Sequence, residues 1–397
     1  MSGRMTVKIS ERMQLIQPFH VMALLARARE LEATGRSIIH MEIGEPDFVT
    51  PKPLIDAGIK ALQDGRTHYT PATGLWALRE KIAGFYKTRY GVTVEPQRVV
   101  VTPGASAALQ LVLAVLVNNG DQVLLADPGY PCNRNFVHLL NGEPLAIPVD
   151  AASGYQPLPQ QVSDRWTQQT RALLVASPSN PTGTLLDEQT LRAYHAITEH
   201  RGGSLIVDEI YHGLTYDGPV QTALAVSDDI FIINSFSKYF GMTGWRLGWL
   251  IAPREVIPEI DKLAQNLFLA APTLAQYAAL CAFDEDVIAI LDARRDEFRA
   301  RRDYLLPALR AIGFDIPVSP AGAFYLYANC SRFTEDSYDF AVRLLEETGV
   351  AVTPGLDFGS HQPERHVRFA YTTSLQNLQE GVRRLRERLG SLSAVSI

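Results

Sequence analysis

A chain of 397 residues, 46% hydrophobic and 20% charged, has the composition of an ordinary globular protein, with length for two or three domains or for one large domain with a smaller companion. Its formal net charge of −6, with no basic run, offers nucleic acid no electrostatic footprint. The three cysteines (Cys132, Cys281 and Cys330) are odd in number and far apart, which argues against a disulfide framework and fits a reducing compartment, while the absence of C-x-x-C and H-E-x-x-H leaves a metal site unsupported.

The opening stretch, MSGRMTVKISERMQLIQ, lacks the sustained apolar core of a secretory signal. FHVMALLARARELEATG (19–35) reads as a helix expected to pack with the C-terminal part of the chain. RVVVT (98–102) reads as a buried strand that runs through Pro103-Gly104 directly into a helix, whose AALQLVLAVLV (107–117) is the longest apolar stretch. That stretch falls well short of the roughly 18 residues of a membrane-spanning helix, so no membrane is expected and the expected address is the cytoplasm.

QVLLAD (122–127), RALLVASP (171–178), SLIVDEIY (204–211), IFIINSFSK (230–238) and RLGWLIAP (246–253) follow as further buried strands, with DEQTLRAYHAITEHR (187–201) as a helix among them. Near-continuous apolar runs mark a sheet covered on both faces. Strand, helix, strand at this spacing predicts a doubly wound, mostly parallel α/β sheet. Only YFGMTGW separates the last two runs, which leaves room for one of them to pair antiparallel.

From about residue 285 the texture changes. AILDARRDEFRARRDYLLPALRAI (289–312) is a long charged amphipathic helix with a proline late in it, SPAGAFYLYANC (319–330) reads as a strand, and YDFAVRLLEETGVAVTPG (338–355) as helix, turn and strand. HVRFAYTT (366–373) is another strand and LQNLQEGVRRLRERL (375–389) a closing helix. The predicted organisation is a large α/β domain over 47–284 and a smaller α+β domain made of 1–46 and 285–397.

Ligands of open α/β sheets bind outside the carboxyl ends of the strands, so the polar groups at those ends define the candidate site. RVVVT leads into Gly104, Ala105 and Ser106, a glycine turn opening a helix whose free N–H groups suit a phosphate. Asn180 follows RALLVASP, Asp208 and Tyr211 close SLIVDEIY, and Ser235, Ser237 and Lys238 close IFIINSFSK. Taken singly each has an ordinary role: Asp208 as a helix cap, Asn180 as a turn former, Lys238 as a loop lysine, Arg246 or Arg368 as a surface cation. At successive strand ends of one sheet they make a set.

A desolvated lysine forms a Schiff base with an aldehyde, and an aspartate facing a pyridine nitrogen keeps it protonated so that the ring accepts electrons. A tyrosine hydroxyl and an asparagine amide can bond a phenolic oxygen, and serines, an arginine and a helix N-terminus can hold a phosphate. That inventory matches pyridoxal 5′-phosphate.

With GEPDF (44–48), SPSNPTG (177–183), VDEIY (207–211), SFSKYFGMTGWRLGW (235–249) and HVRFAYTT in this order, the chain resembles the class I/II aminotransferases of the aspartate-aminotransferase-like fold over nearly its whole length. The resemblance implies that Lys238 is the Schiff-base lysine and proton shuttle, Asp208 the pyridinium partner, and Tyr211 and Asn180 the partners of the phenolic oxygen. It implies Tyr130 stacked on the ring, and Ala105, Ser106, Ser235, Ser237 and Arg246 around the phosphate, with the choice between the two serines open. It further implies Arg368 as the clamp on the substrate α-carboxylate, Gly44 in the segment closing over the substrate, and a homodimer in which Tyr69 reaches the partner's phosphate.

The implied activity is transamination between an amino acid and a 2-oxo acid, such as 2-oxoglutarate or pyruvate, in two half-reactions through Lys238. A carbon–sulfur β-lyase or an aminocyclopropane-carboxylate-synthase-like enzyme is the alternative on the same site, and a cofactor-binding regulator a more distant one. Two departures weaken a dicarboxylate-only reading of the substrate. DKLAQNLFLAAPTLAQYAAL (261–280) contains no arginine for a distal carboxylate, and Ser106 stands where some relatives carry lysine. Arg134, four residues after Tyr130 on a helix expected to start at Pro131, is the residue that would tune side-chain recognition.

Overall fold

The computed structural model describes residues 7–393. Its strands, in chain order, are β1 (Ile39–His40), β2 (Val99–Thr102), β3 (Gln122–Asp127), β4 (Glu143–Pro148), β5 (Thr170–Ala176), β6 (Ser204–Asp208), β7 (Phe231–Ser235), β8 (Gly248–Ile251), β9 (Tyr325–Asn329), β10 (Val350–Ala351), β11 (Thr353–Pro354) and β12 (His366–Ala370). Seven of them form one sheet in the order β2-β8-β7-β6-β5-β3-β4. All residues of β2, β7 and β8 are buried, as continuous apolar runs require in a sheet with helices on both faces. The sheet is parallel apart from β8, which runs antiparallel to both β2 and β7 across the short connection between the last two apolar runs.

β4 is a strand that the sequence reading passes over. EPLAIP carries two prolines and is mostly only partly buried; it is tolerated as a strand because it lies at the sheet edge, paired only with β3. The helices meet their expectations more closely. Ala105–Leu116 follows β2 after the two-residue turn Pro103-Gly104, and Glu188–His200 starts where the Asp187 side chain accepts from Thr190 N at 2.7 Å.

The C-terminal part has a three-stranded antiparallel sheet, β11-β12-β9, beside the long helix Glu285–Ile312, which carries Pro307 inside it. The strand expected over 319–330 is shorter, because the segment before Tyr325 makes a turn with Ala323 at a φ of 59°. The helix expected over 19–35 spans His20–Ala33 and packs against this C-terminal part. Asp357 fixes it there by accepting from His20 N (2.7 Å) and Val21 N (2.9 Å), an acid at a helix start where free N–H groups and the dipole favour one.

Where β8 passes the turn that opens Ala105–Leu116, a side chain has no room. A Cβ on Gly248 would lie 2.8 Å from both Ala105 N and Gly104 C and 2.9 Å from Asn234 O, all backbone atoms. Gly248→Ala is therefore expected to destabilise the fold by about 1–3 kcal/mol, the usual range for forced overpacking. Urea unfolding measures this, and an unchanged midpoint would show that the backbone yields there at no cost.

Candidate active site

The carboxyl ends of β2, β5, β6 and β7 open onto a cavity of about 280 Å³. At its β2 end, Gly104 takes a φ of +79° and Ala105 begins the helix, so the N–H groups of Ala105 and Ser106 have no intrahelical acceptor. Arg246, itself left-handed at a φ of 54°, returns its guanidinium to this turn. A Cβ at Gly104 would lie 2.6 Å from Arg246 Nη2, so glycine is what lets the two approach. Ser235 and Ser237 stand beside them, both buried. Ser235 Oγ accepts from Ser237 N (3.0 Å) and has both Ser237 Oγ (2.9 Å) and the Leu247 carbonyl (3.2 Å) as acceptors for its single hydrogen.

Lys238 follows β7 and extends its amine to the Gly44 carbonyl at 2.6 Å, with the amine 5.7 Å from the Phe324 ring centre. Burial lowers its pKa to about 8; Arg368 and Arg246 push the same way, while Glu45 and Asp208 oppose them. Asp208, at the end of β6, is buried and accepts from Ile210 N at 3.1 Å. Its burial raises the carboxyl pKa to about 6, against the pull of that N–H group and of Lys238.

Tyr211 is buried, its hydroxyl 2.9 Å from that of Tyr325 and its ring edge-on to Phe324 and Tyr325. A Cβ on Gly44 would fall 2.0 Å from the Tyr325 hydroxyl, so glycine is needed for this segment to lie over the cavity. Tyr130 immediately precedes the helix Pro131–Leu139 and lines the cavity, its hydroxyl pKa pushed well up by burial.

Arg368 reaches in from β12. Its Nη1 donates to Asn180 Oδ1 (2.8 Å) and its Nη2 to the Glu42 carbonyl (2.7 Å) and Thr353 Oγ1 (3.2 Å). The guanidinium lies 4.1 Å from the Tyr325 ring centre and 4.8 Å from that of Phe358. Its Nε is buried with no hydrogen-bond partner, so an arginine packed this tightly keeps an unmet donor.

Tyr69 alone among the candidates for the cofactor site stands apart, 82% exposed and outside the cavity lining. Arg134 lies on a helix that does start at Pro131 and is half-buried. It lines a second, adjoining cavity rather than the first.

Sequence reasoning missed Phe324 and Tyr325, and with them Thr353, Asp357 and Phe358. The run AFYLYAN signalled a strand, but which of its aromatics faces the site depends on the pairing of β9 with β12, where Arg368 sits opposite Tyr327. No helix among the described residues is long and apolar enough to cross a membrane.

The family described as aminotransferase class I and II matches residues 36–385. The (5-formylfuran-3-yl)methyl phosphate transaminase of Methanocaldococcus jannaschii is 40% identical over 383 residues, covering 96% of this chain and 99% of the relative. The valine–pyruvate aminotransferase of Mycobacterium tuberculosis is 38% identical over 372 residues, covering 93% and 96%. Among solved structures, an aminotransferase from Mycobacterium tuberculosis superimposes with a TM-score of 0.94 at 37% identity, over 97% of this chain and 100% of that one. The aspartate aminotransferase of Thermus thermophilus with maleate does so with a TM-score of 0.91 at 34% identity, over 96% and 100%.

Proposed function

Since the chain belongs to the class I and II aminotransferase family and is an aminotransferase of the aspartate-aminotransferase-like fold, we propose that it uses pyridoxal 5′-phosphate at Lys238 to move an amino group between an amino acid and a 2-oxo acid. The donor set fits that cofactor. The N–H groups of Ala105 and Ser106, with Ser106, Ser235, Ser237 and Arg246, make an anion cradle that only a glycine at 104 permits. Ser235 and Ser237 both bring a hydroxyl to the phosphate end of this lining. Asp208 lines the same cavity as a buried acid suited to a protonated ring nitrogen, while Tyr130 offers a ring face and Tyr211 and Asn180 offer polar groups to a phenolic oxygen.

When bound, the cofactor supplies an electron sink for the pair left at the substrate Cα on loss of its proton. The chain's own groups do the rest. Lys238 Nζ would hold the cofactor's aldehyde carbon until the substrate amine displaces it, and the freed amine would carry the substrate Cα proton to that carbon; burial lowers its pKa to about 8, so the neutral amine is accessible. Arg368, which lines the same cavity beside Asn180, clamps the substrate α-carboxylate. The segment at Gly44 covers the amine and excludes water, with the unit 1–46 plus 285–397 closing on 47–284.

The observation that carries this reading is the convergence of Lys238, Asp208 and Arg246 on one cavity from different strand ends. The exposed Tyr69 supports a homodimer in which that hydroxyl reaches the partner's phosphate, and the three free cysteines suit a reducing cytoplasm. The relatives are transaminases, so the β-lyase alternative is not favoured.

The test is to add single amino acids, without an acceptor, to the yellow holoprotein. Loss of the colour with one 2-oxo acid released per site, and its return on adding a 2-oxo acid, is the expected result. Persistent colour with ammonia and pyruvate accumulating would overturn it.

A further inference from the structure

The cavity at Lys238 shares Tyr130, Asn180 and Phe358 with a second cavity of about 390 Å³. A substrate held at Arg368 with its Cα at Lys238 has this second space beside it for a side chain. Its charged lining is unevenly satisfied. Asp127 accepts from Ser360 N (2.9 Å), Ser360 Oγ (2.8 Å) and His361 N (3.3 Å), and Asp357 accepts from His20 N and Val21 N at the start of a helix. Main-chain N–H groups therefore offset both carboxylates.

Arg134 is the one arginine or lysine on that lining among the described residues. It makes a single hydrogen bond, from Nη2 to the Asp357 carbonyl at 2.8 Å, leaving most of its five N–H donors without an acceptor in the protein. A half-buried guanidinium with donors to spare, on the wall of a cavity that adjoins Lys238, is a site for anionic oxygens rather than for an apolar side chain.

We propose that Arg134 determines substrate specificity by binding the anionic group, carboxylate or phosphate, at the far end of the substrate side chain. This rests on the transaminase reading above and deepens it: an acidic amino acid and its 2-oxo acid form one of the two substrate pairs. It also accounts for the missing arginine in 261–280, since the positive charge comes from the helix after Tyr130 instead.

The experiment compares isosteric substrates on the holoenzyme and on Arg134→Gln and Arg134→Lys. Glutamate against glutamine reads the carboxylate, and 2-amino-4-phosphonobutanoate against glutamate separates a phosphate preference from a carboxylate one. Binding of unreactive glutarate, followed by calorimetry, provides a readout independent of turnover. Loss of one partner of a desolvated charge pair predicts that Arg134→Gln lowers the glutamate-to-glutamine ratio of kcat/KM by about 10–100-fold, mainly through KM, and weakens glutarate to a similar extent. Arg134→Lys should recover part of both. A wild-type ratio near one, or a ratio unchanged in Arg134→Gln, would overturn the proposal while leaving transamination standing. A wild-type enzyme that transaminates no amino acid would instead remove the reading on which it rests.

Discussion

Lys238→Ala is expected to reduce turnover to below about one part in 10,000, since it removes both the nucleophile and the proton carrier. No other described side chain offers a neutral amine at this point. The nearest cations lining the cavity, Arg246 and Arg368, are guanidiniums that do not give up a proton. The anion cradle and Asp208 remain, so the variant should still take up cofactor without a covalent link. Borohydride reduction followed by peptide mass analysis separates the two states: wild-type protein should carry the cofactor mass at Lys238, and the variant none. Turnover near the wild-type rate would remove the assignment.

The same lysine has a pH signature. Its pKa in the folded apoprotein is lowered from 10.5 to about 8, so the unfolded chain binds more protons between those values and apoprotein stability rises with pH across that window. The neutral amine becomes the major form as pH climbs through about 8, and the rate of cofactor uptake should rise with it and then level off. An uptake rate flat across that range would mean that the buried amine is not the group reacting.

Asp208→Ala is the second large effect. A buried carboxylate with a pKa raised to about 6 is ionised at neutral pH, and its charge in a dry site is what would hold a proton on the ring nitrogen. Losing it should lower kcat by about 100-fold or more and weaken cofactor binding, as removal of one preorganised electrostatic partner commonly does. Asp208→Asn checks that charge rather than shape is responsible. It keeps an oxygen for Ile210 N yet should lose comparable kcat, and wild-type rates in both variants would end Asp208's role.

Arg368 and Gly44 show where local sequence stops being informative. Arg368 reads as strand in HVRFAYTT, and nothing in those residues says that its guanidinium lies over Tyr325 and bonds Asn180, 188 positions earlier. Gly44 reads as one glycine among many until Tyr325 is placed 2.0 Å from the Cβ it lacks. Arg134 is the sharper case. On the sequence it is a helix arginine with an ordinary place in solvent, and only the fold sets it half-buried against Asp357 beside the Lys238 cavity.

The sequence by itself determined the buried strands, the order of the polar groups at their ends and the glycine turn after β2, because these depend on apolar runs and on residues a few positions apart. It therefore determined the sheet, the family and the candidate set of Lys238, Asp208, Asn180 and Arg246, which the fold brings to one cavity. Only the tertiary structure decided the β4 edge, the aromatic wall of Phe324 and Tyr325, the tie of Asp357 to the helix at His20, and the second cavity at Arg134. Each of those depends on which residue of one element faces which residue of another, a choice made by strand register and helix packing across hundreds of positions rather than by the neighbours in the chain.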